Sequence, residues 1–193
     1  MIDYAAIFES ADNYDRFLKR YAQPLDLARW QAKGKSLILT DAQQELLSGF
    51  KRRMNVLCLA GAWCGDCVEQ CPIFERFAAH SDKIDLRFVD RDDCPEPLRD
   101  SLKVCGGNRV PVVLFLSEEF QPTGMYGDRT LAKYRVMAQS LTGDACSTGL
   151  TMPSAPGTMD PMATAVVEQW LGEFERNQLI LRTSPRLRQK HND

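Results

Sequence analysis

Cys64 and Cys67 stand two residues apart in Trp63-Cys64-Gly65-Asp66-Cys67, a spacing suited to redox or metal chemistry. The apolar run Val56-Leu57-Cys58-Leu59-Ala60 precedes them, and Val68, Ile73, Phe74, Phe77 and Ala78 follow at helical spacing. A cysteine that opens a helix lies near unpaired backbone N–H groups and the positive end of the helix dipole, and both favour a thiolate. Lowering a thiol pKa from about 8.5 to about 7 raises the ionised fraction at neutral pH from a few per cent to about half. Cys64 is therefore the expected nucleophile, and Trp63 offers an incoming peptide a flat apolar surface. Cys67, one turn deeper, is placed to release a mixed disulfide formed on Cys64.

The same spacing serves metal sites, and Cys71 extends it to C-x2-C-x3-C, three thiolates at one helix end for zinc or an iron–sulfur cluster. A fourth ligand could come from Cys105 or a partner; His80 and His191 are poorly placed for that role. Cys71 could instead bridge Cys67, act as an extra resolving thiol, or be a small buried apolar residue. Cys58, inside an apolar strand, reads as core. Cys94 and Cys105 flank a short helix and could form an accessory disulfide, while Cys146 falls in a loop. The chain has 7 cysteines, an odd number, so they cannot all pair within one molecule.

The elements that must hold these residues can be read from periodicity. Val56–Ala60 has the continuous apolar character of a strand buried on both faces, and residues 84–90 alternate as a second strand. Leu98 and Leu102 outline a short helix, Val112–Leu116 a strong strand, and residues 120–125 its antiparallel return. Gly127 breaks the chain before a helix over 130–141. From Asn55 the order is β-α-β-α-β-β-α, one parallel crossover followed by a hairpin. Before it, residues 1–35 are helical and polar, Pro24 ends one helix or starts the next turn, and Thr40-Asp41-Ala42-Gln43 fits a capping box. These opening helices carry no motif and read as cover for the sheet. After it comes a Gly-, Ser-, Thr- and Pro-rich stretch over 142–158. A helix then begins at Asp160-Pro161, and a basic tail reads as a solvated end.

A length of 193 residues suits one domain over 1–193: an extension (1–54), a core (55–141), and a loop with a C-terminal helix (142–193). A formal net charge of −2 gives no electrostatic reason to expect nucleic acid or an anionic membrane as a partner. No apolar run approaches the roughly 20 residues of a membrane span. The first residues have neither the basic region nor the apolar core of a signal peptide, so a cytoplasmic protein is expected.

From Asn55 to Leu141 the chain resembles the thioredoxin family. The resemblance rests on Trp63-Cys64-Gly65-Asp66-Cys67 and on Pro72, the helix proline five residues after the second cysteine. It also rests on Val110-Pro111 as the cis-proline dipeptide and on Gly127 after the hairpin. With helices at both ends, it is most similar to bacterial thioredoxin-like proteins that carry an N-terminal helical extension and a WCGDC-type motif. The resemblance implies an α/β thioredoxin-like fold, a central mixed sheet flanked by helices. It implies dithiol–disulfide exchange by Cys64 and Cys67, with Val110 offering its backbone to the substrate and Pro111 against the two sulfurs. Two positions depart from the family. Asp66 stands where a proline is usual, adding a carboxylate that disfavours a thiolate, and Cys58 stands where the family has a buried acid.

The expectation is a protein-disulfide reductase or isomerase working without a cofactor. Its partners would be a disulfide-bearing protein or small-molecule disulfide and a thiol electron donor such as a thioredoxin reductase. Two other readings stand beside it, a cysteine-ligated zinc or iron–sulfur protein and a non-catalytic interaction scaffold.

Overall fold

The computed structural model describes residues 2–142 and 159–192. The stretch that separates these two segments, with Cys146, lies outside the described residues. The N-terminal region folds into four helices, α1 (Tyr4–Ser10), α2 (Tyr14–Tyr21), α3 (Pro24–Ser36) and α4 (Asp41–Ser48). Pro24 opens α3, where its missing N–H costs nothing. The capping box at α4 is complete: the Thr40 hydroxyl accepts from Gln43 N–H, and the Gln43 side chain accepts from Thr40 N–H.

The core follows as β1 (Met54–Ala60), α5 (Gly65–Ala79), β2 (Ile84–Asp90), α6 (Glu96–Ser101), β3 (Val112–Leu116), β4 (Pro122–Gly127) and α7 (Leu131–Thr142). Strands lie in the order β2-β1-β3-β4, with β1 and β2 parallel and the other neighbours antiparallel. This is the expected crossover and hairpin. β1 and β3 are buried along their whole length, whereas β2 alternates buried and half-buried residues. The central pair therefore sits between two layers of helices, which explains its unbroken apolar sequence.

Both ends of the chain are built into this core. On one side Phe17, Tyr14, Trp30 and Phe88 form an aromatic cluster joining α2 and α3 to β2. Asp12 and Phe88 exchange backbone hydrogen bonds of 3.0 and 2.7 Å, closing part of the outer edge of β2. On the other side α8 (Pro161–Thr183) places Trp170 against Phe74, with ring centroids 4.4 Å apart, and Phe174 against Phe115 at 5.1 Å. The Trp170 indole N–H donates to Gln70 Oε1 at 2.7 Å, so a helix of the core takes its orientation partly from the C-terminal segment.

The basic tail is exposed, as expected, but it is also folded. It forms α9 (Pro185–His191), in which Arg186 and Lys190 both pair with Glu119 at the turn after β3. One helical turn separates those two cations, so a single carboxylate meets both. Their bonds hold the Glu119 carboxyl down to about 2.

Trp170→Phe keeps an aromatic ring in the core but removes the donor to Gln70, leaving a buried amide oxygen unpaired. The expected cost is about 1–3 kcal/mol, read as a lower urea midpoint with an unchanged denaturant slope.

Candidate active site

The Cys64–Cys67 pair sits where β1 hands the chain to α5. Cys64 is the N-cap of α5, in extended conformation; its N–H donates to Gly61 O and its carbonyl accepts the helix's first bond, from Val68, each 3.0 Å long. Cys64 is partly exposed and Cys67 wholly buried, as expected for an attacking and a resolving thiol. Cys67 Sγ accepts from Gly61 N–H at 3.4 Å. Gly61 is needed for a second reason, because a Cβ there would lie 2.9 Å from the Trp63 ring.

The ionisation of the two sulfurs is linked. Burial opposes ionisation of Cys67, yet hydrogen bonds from Cys64, Cys71 and Gly61 N–H outweigh it and bring its pKa down to about 5. Cys64 is pushed up, first by its neighbour Cys67, then by burial and by the charge that neighbour carries; the N–H groups of Cys67 and Asp66 only partly offset this. The pair thus loses one proton easily and holds the other.

Val110-Pro111 is a cis peptide, and Val110 O lies 3.7 Å from Cys64 Sγ. Val110 is buried, so its carbonyl is turned toward the sulfur. Gly127 completes this corner: its φ is +153°, and a Cβ on it would come within 2.5 Å of Pro111 O. Pro72 lies inside α5, which continues through it to Ala79.

Asp66 does not face the sulfurs as a free carboxylate. Arg129 pairs with it at 2.6 Å and also reaches Asp128 at 3.2 Å. Asp128 is buried; it accepts from Tyr134 and lies 3.3 Å from Arg109. Burial works against its charge, but these partners bring its pKa below the ordinary carboxylate range. The Gln70 amide N–H2 spans the backbone oxygens of Asp66 and Asp128 at 3.1 and 3.0 Å, joining the network to α5. On the other flank Arg91 covers the half-exposed Trp63 ring at 4.7 Å, near enough for its charge to be felt at Cys64. The opening helices contribute as well: Trp30 Nε1–H donates to Ala62 O at 2.8 Å, and Arg29 approaches Gly65.

Arg29, Gln70, Arg91, Arg109, Asp128, Arg129 and Tyr134 were not singled out from sequence. For Arg129 alone a signal existed, since a carboxylate between two reactive thiols calls for a nearby cation. No spacing rule says which arginine supplies it.

The remaining cysteines divide sharply. Cys71 and Cys58 are wholly buried with their sulfurs 3.9 Å apart, so Cys58, in the place of the family's acid, faces α5 rather than filling space alone. Cys94 is a buried free thiol against Pro95 O, whereas Cys105 is free and exposed, so the accessory bridge is not formed. Among the described residues no three His, Cys, Asp or Glu side chains are grouped to hold a metal ion, and the geometry gives the metal reading no support. Nor is any helix among them long and apolar enough to cross a membrane.

Replacing Arg129 by Gln leaves Asp66 unpaired beside the sulfurs. The apparent pKa of the pair is expected to rise by up to about 1, and Asp66→Asn in the same background should reverse the change. Ultraviolet thiolate absorbance against pH reads both.

No curated protein matches the sequence. Among solved structures, a protein of unknown function from Pseudomonas aeruginosa superposes with a TM-score of 0.71 at 20% identity, over 94% of this chain and 98% of its own. An HIV epitope scaffold superposes with a TM-score of 0.64 at 19% identity, over 95% of this chain and 99% of its own. A family model described as thioredoxin matches residues 11–141, beginning within the N-terminal helices rather than at Asn55. The chain belongs to the thioredoxin family.

Proposed function

We propose that this protein is a thiol–disulfide oxidoreductase that reduces protein disulfides. The observation that carries the reading is the Cys64–Cys67 pair at the start of α5, its outer sulfur partly exposed beside Trp63 and facing Val110 O, its inner sulfur buried against Gly61 N–H.

The reduced pair begins with one proton and one negative charge. As a client disulfide approaches Trp63, the shared proton passes from Cys64 to Cys67, and the Cys64 thiolate attacks one client sulfur. The client S–S bond breaks and its other sulfur leaves as a thiolate. Cys67 gives its proton to that leaving group and attacks Cys64 Sγ, releasing the second client sulfur as a thiolate. Two electrons pass to the client, and the protein is left with a Cys64–Cys67 disulfide. A thiol donor, such as a thioredoxin reductase system, would restore the dithiol in the reducing cytoplasm this chemistry suits. Arg91 and Arg129 keep positive charge near the sulfurs throughout.

Insulin-disulfide reduction tests the proposal. Wild type should turn over with a small dithiol or a reductase, Cys64→Ser should lose activity by at least about 1000-fold, and Cys67→Ser should accumulate a mixed disulfide. Absence of wild-type turnover with both donors and of trapped client would overturn it.

The pH profile gives an independent check. Because the first ionisation of the pair lies near 5 rather than the ordinary thiol value of 9.0, ultraviolet thiolate absorbance should persist at mildly acidic pH and fall as pH drops through about 5. The folded pKa is depressed, so the unfolded chain binds more protons between these values. Stability of the reduced form relative to the oxidised form should therefore increase with pH across that window, as thermal melts of both forms can show.

A further inference from the structure

The pair described above does not end at Cys67. Cys71 lies one helical turn further along α5, on the same face of the helix as Cys67. Its own sulfur stands 3.9 Å from Cys58 Sγ on β1. Four thiols thus form a continuous line from the surface at Cys64 to the middle of the sheet. All but the first have no solvent exposure. Oxidants and reductants in solution cannot touch Cys58 or Cys71 in the folded protein; Cys67 is the redox-active neighbour in this line.

We propose that Cys58 and Cys71 form a second, buried dithiol centre that exchanges disulfide with the Cys64–Cys67 pair through Cys67. A disulfide needs its sulfurs about 2 Å apart, so each must move inward by about 1 Å, which small side-chain rotations supply. Cys58 is then a redox partner standing where the family carries an acid. The step rests on the proposed function, which delivers the first disulfide.

The exchange needs no further oxidant. With Cys64–Cys67 oxidised, the Cys71 sulfur gives up its proton and attacks Cys67 Sγ; the Cys64–Cys67 bond breaks, and Cys64 leaves and takes up that proton. Cys58 then loses its proton and attacks Cys71 Sγ, the Cys67–Cys71 bond breaks, and Cys67 is released with the proton. One S–S bond is present at each stage, and no electrons enter or leave the protein. The outer pair is reduced again and can act on a second client disulfide, so one chain can deliver four electrons before it must be recharged.

Two measurements test this. Native protein is oxidised with excess small-molecule disulfide, quenched in acid, alkylated and mapped without reduction. Arg53 and Arg76 leave all four cysteines on one tryptic peptide, so cleavage at Asp66 and Glu69 must be added to separate Cys67 and Cys71, with fragment ions between Cys58 and Cys64 to tell those two apart. The expected product is a Cys58–Cys71 link alongside Cys64–Cys67 in wild type, reduced at least tenfold in Cys67→Ser at the same time point. In the second measurement, reduced protein freed of donor is mixed with excess client disulfide, and Cys58→Ala should release half as many client thiols as wild type while keeping its turnover with donor present. A Cys64–Cys67 disulfide with Cys58 and Cys71 both still free, and equal yields from wild type and Cys58→Ala, overturns the second centre and leaves the proposed function standing. Failure of Cys64–Cys67 to form at all overturns that function as well.

Discussion

A negative charge on a sulfur shut away from water persists only if hydrogen bonds replace the water. Cys67 meets that condition, and much of the molecule is arranged so that it can. Gly61 N–H reaches it because β1 ends one residue earlier and the chain turns sharply into α5. Cys64 lies beside it because the N-cap and the third helical residue share an end of the helix. Cys71 follows on the same helical face one turn later. Remove the turn or the helix start and the low ionisation of the pair has no physical basis.

The same constraint explains the charges around the motif. Asp66 alone would oppose the thiolate, so its presence makes sense only with Arg129 against it at 2.6 Å. Arg129 is in turn held by Asp128, a buried carboxylate fixed by Tyr134, Arg109 and the backbone contact to Gln70. Gln70 then depends on Trp170, from the last third of the chain. The C-terminal helix is therefore coupled to the chemistry by a short series of hydrogen bonds. The N-terminal helices are coupled by Trp30 to Ala62, just ahead of the motif.

Much of this was legible beforehand. Strand β1 was readable because a strand covered on both faces must be apolar throughout, and β2 because one covered more on one face alternates. Thr40 and Asp160 announced their helices because caps act over three residues. The basic tail is exposed as expected, but its pairing was not legible: its partner Glu119 lies far away in sequence, and charge composition cannot say what a cation will meet. The opening helices were read as plain cover because an aromatic stripe shows that a helix is buried, without showing that Trp30 meets the loop before Cys64.

By itself the sequence determined the order of elements and the placing of two thiols at a helix start, because periodicity, capping and spacing act within a turn or a strand; the cis-proline and the glycine after the hairpin were read from the resemblance to the thioredoxin family. Only the tertiary structure decided which arginine neutralises Asp66, and that Cys58 lies against Cys71. Those outcomes depend on groups from different elements meeting at distances of a few ångströms. A sequence records the residues available for such meetings; packing selects which of them occur.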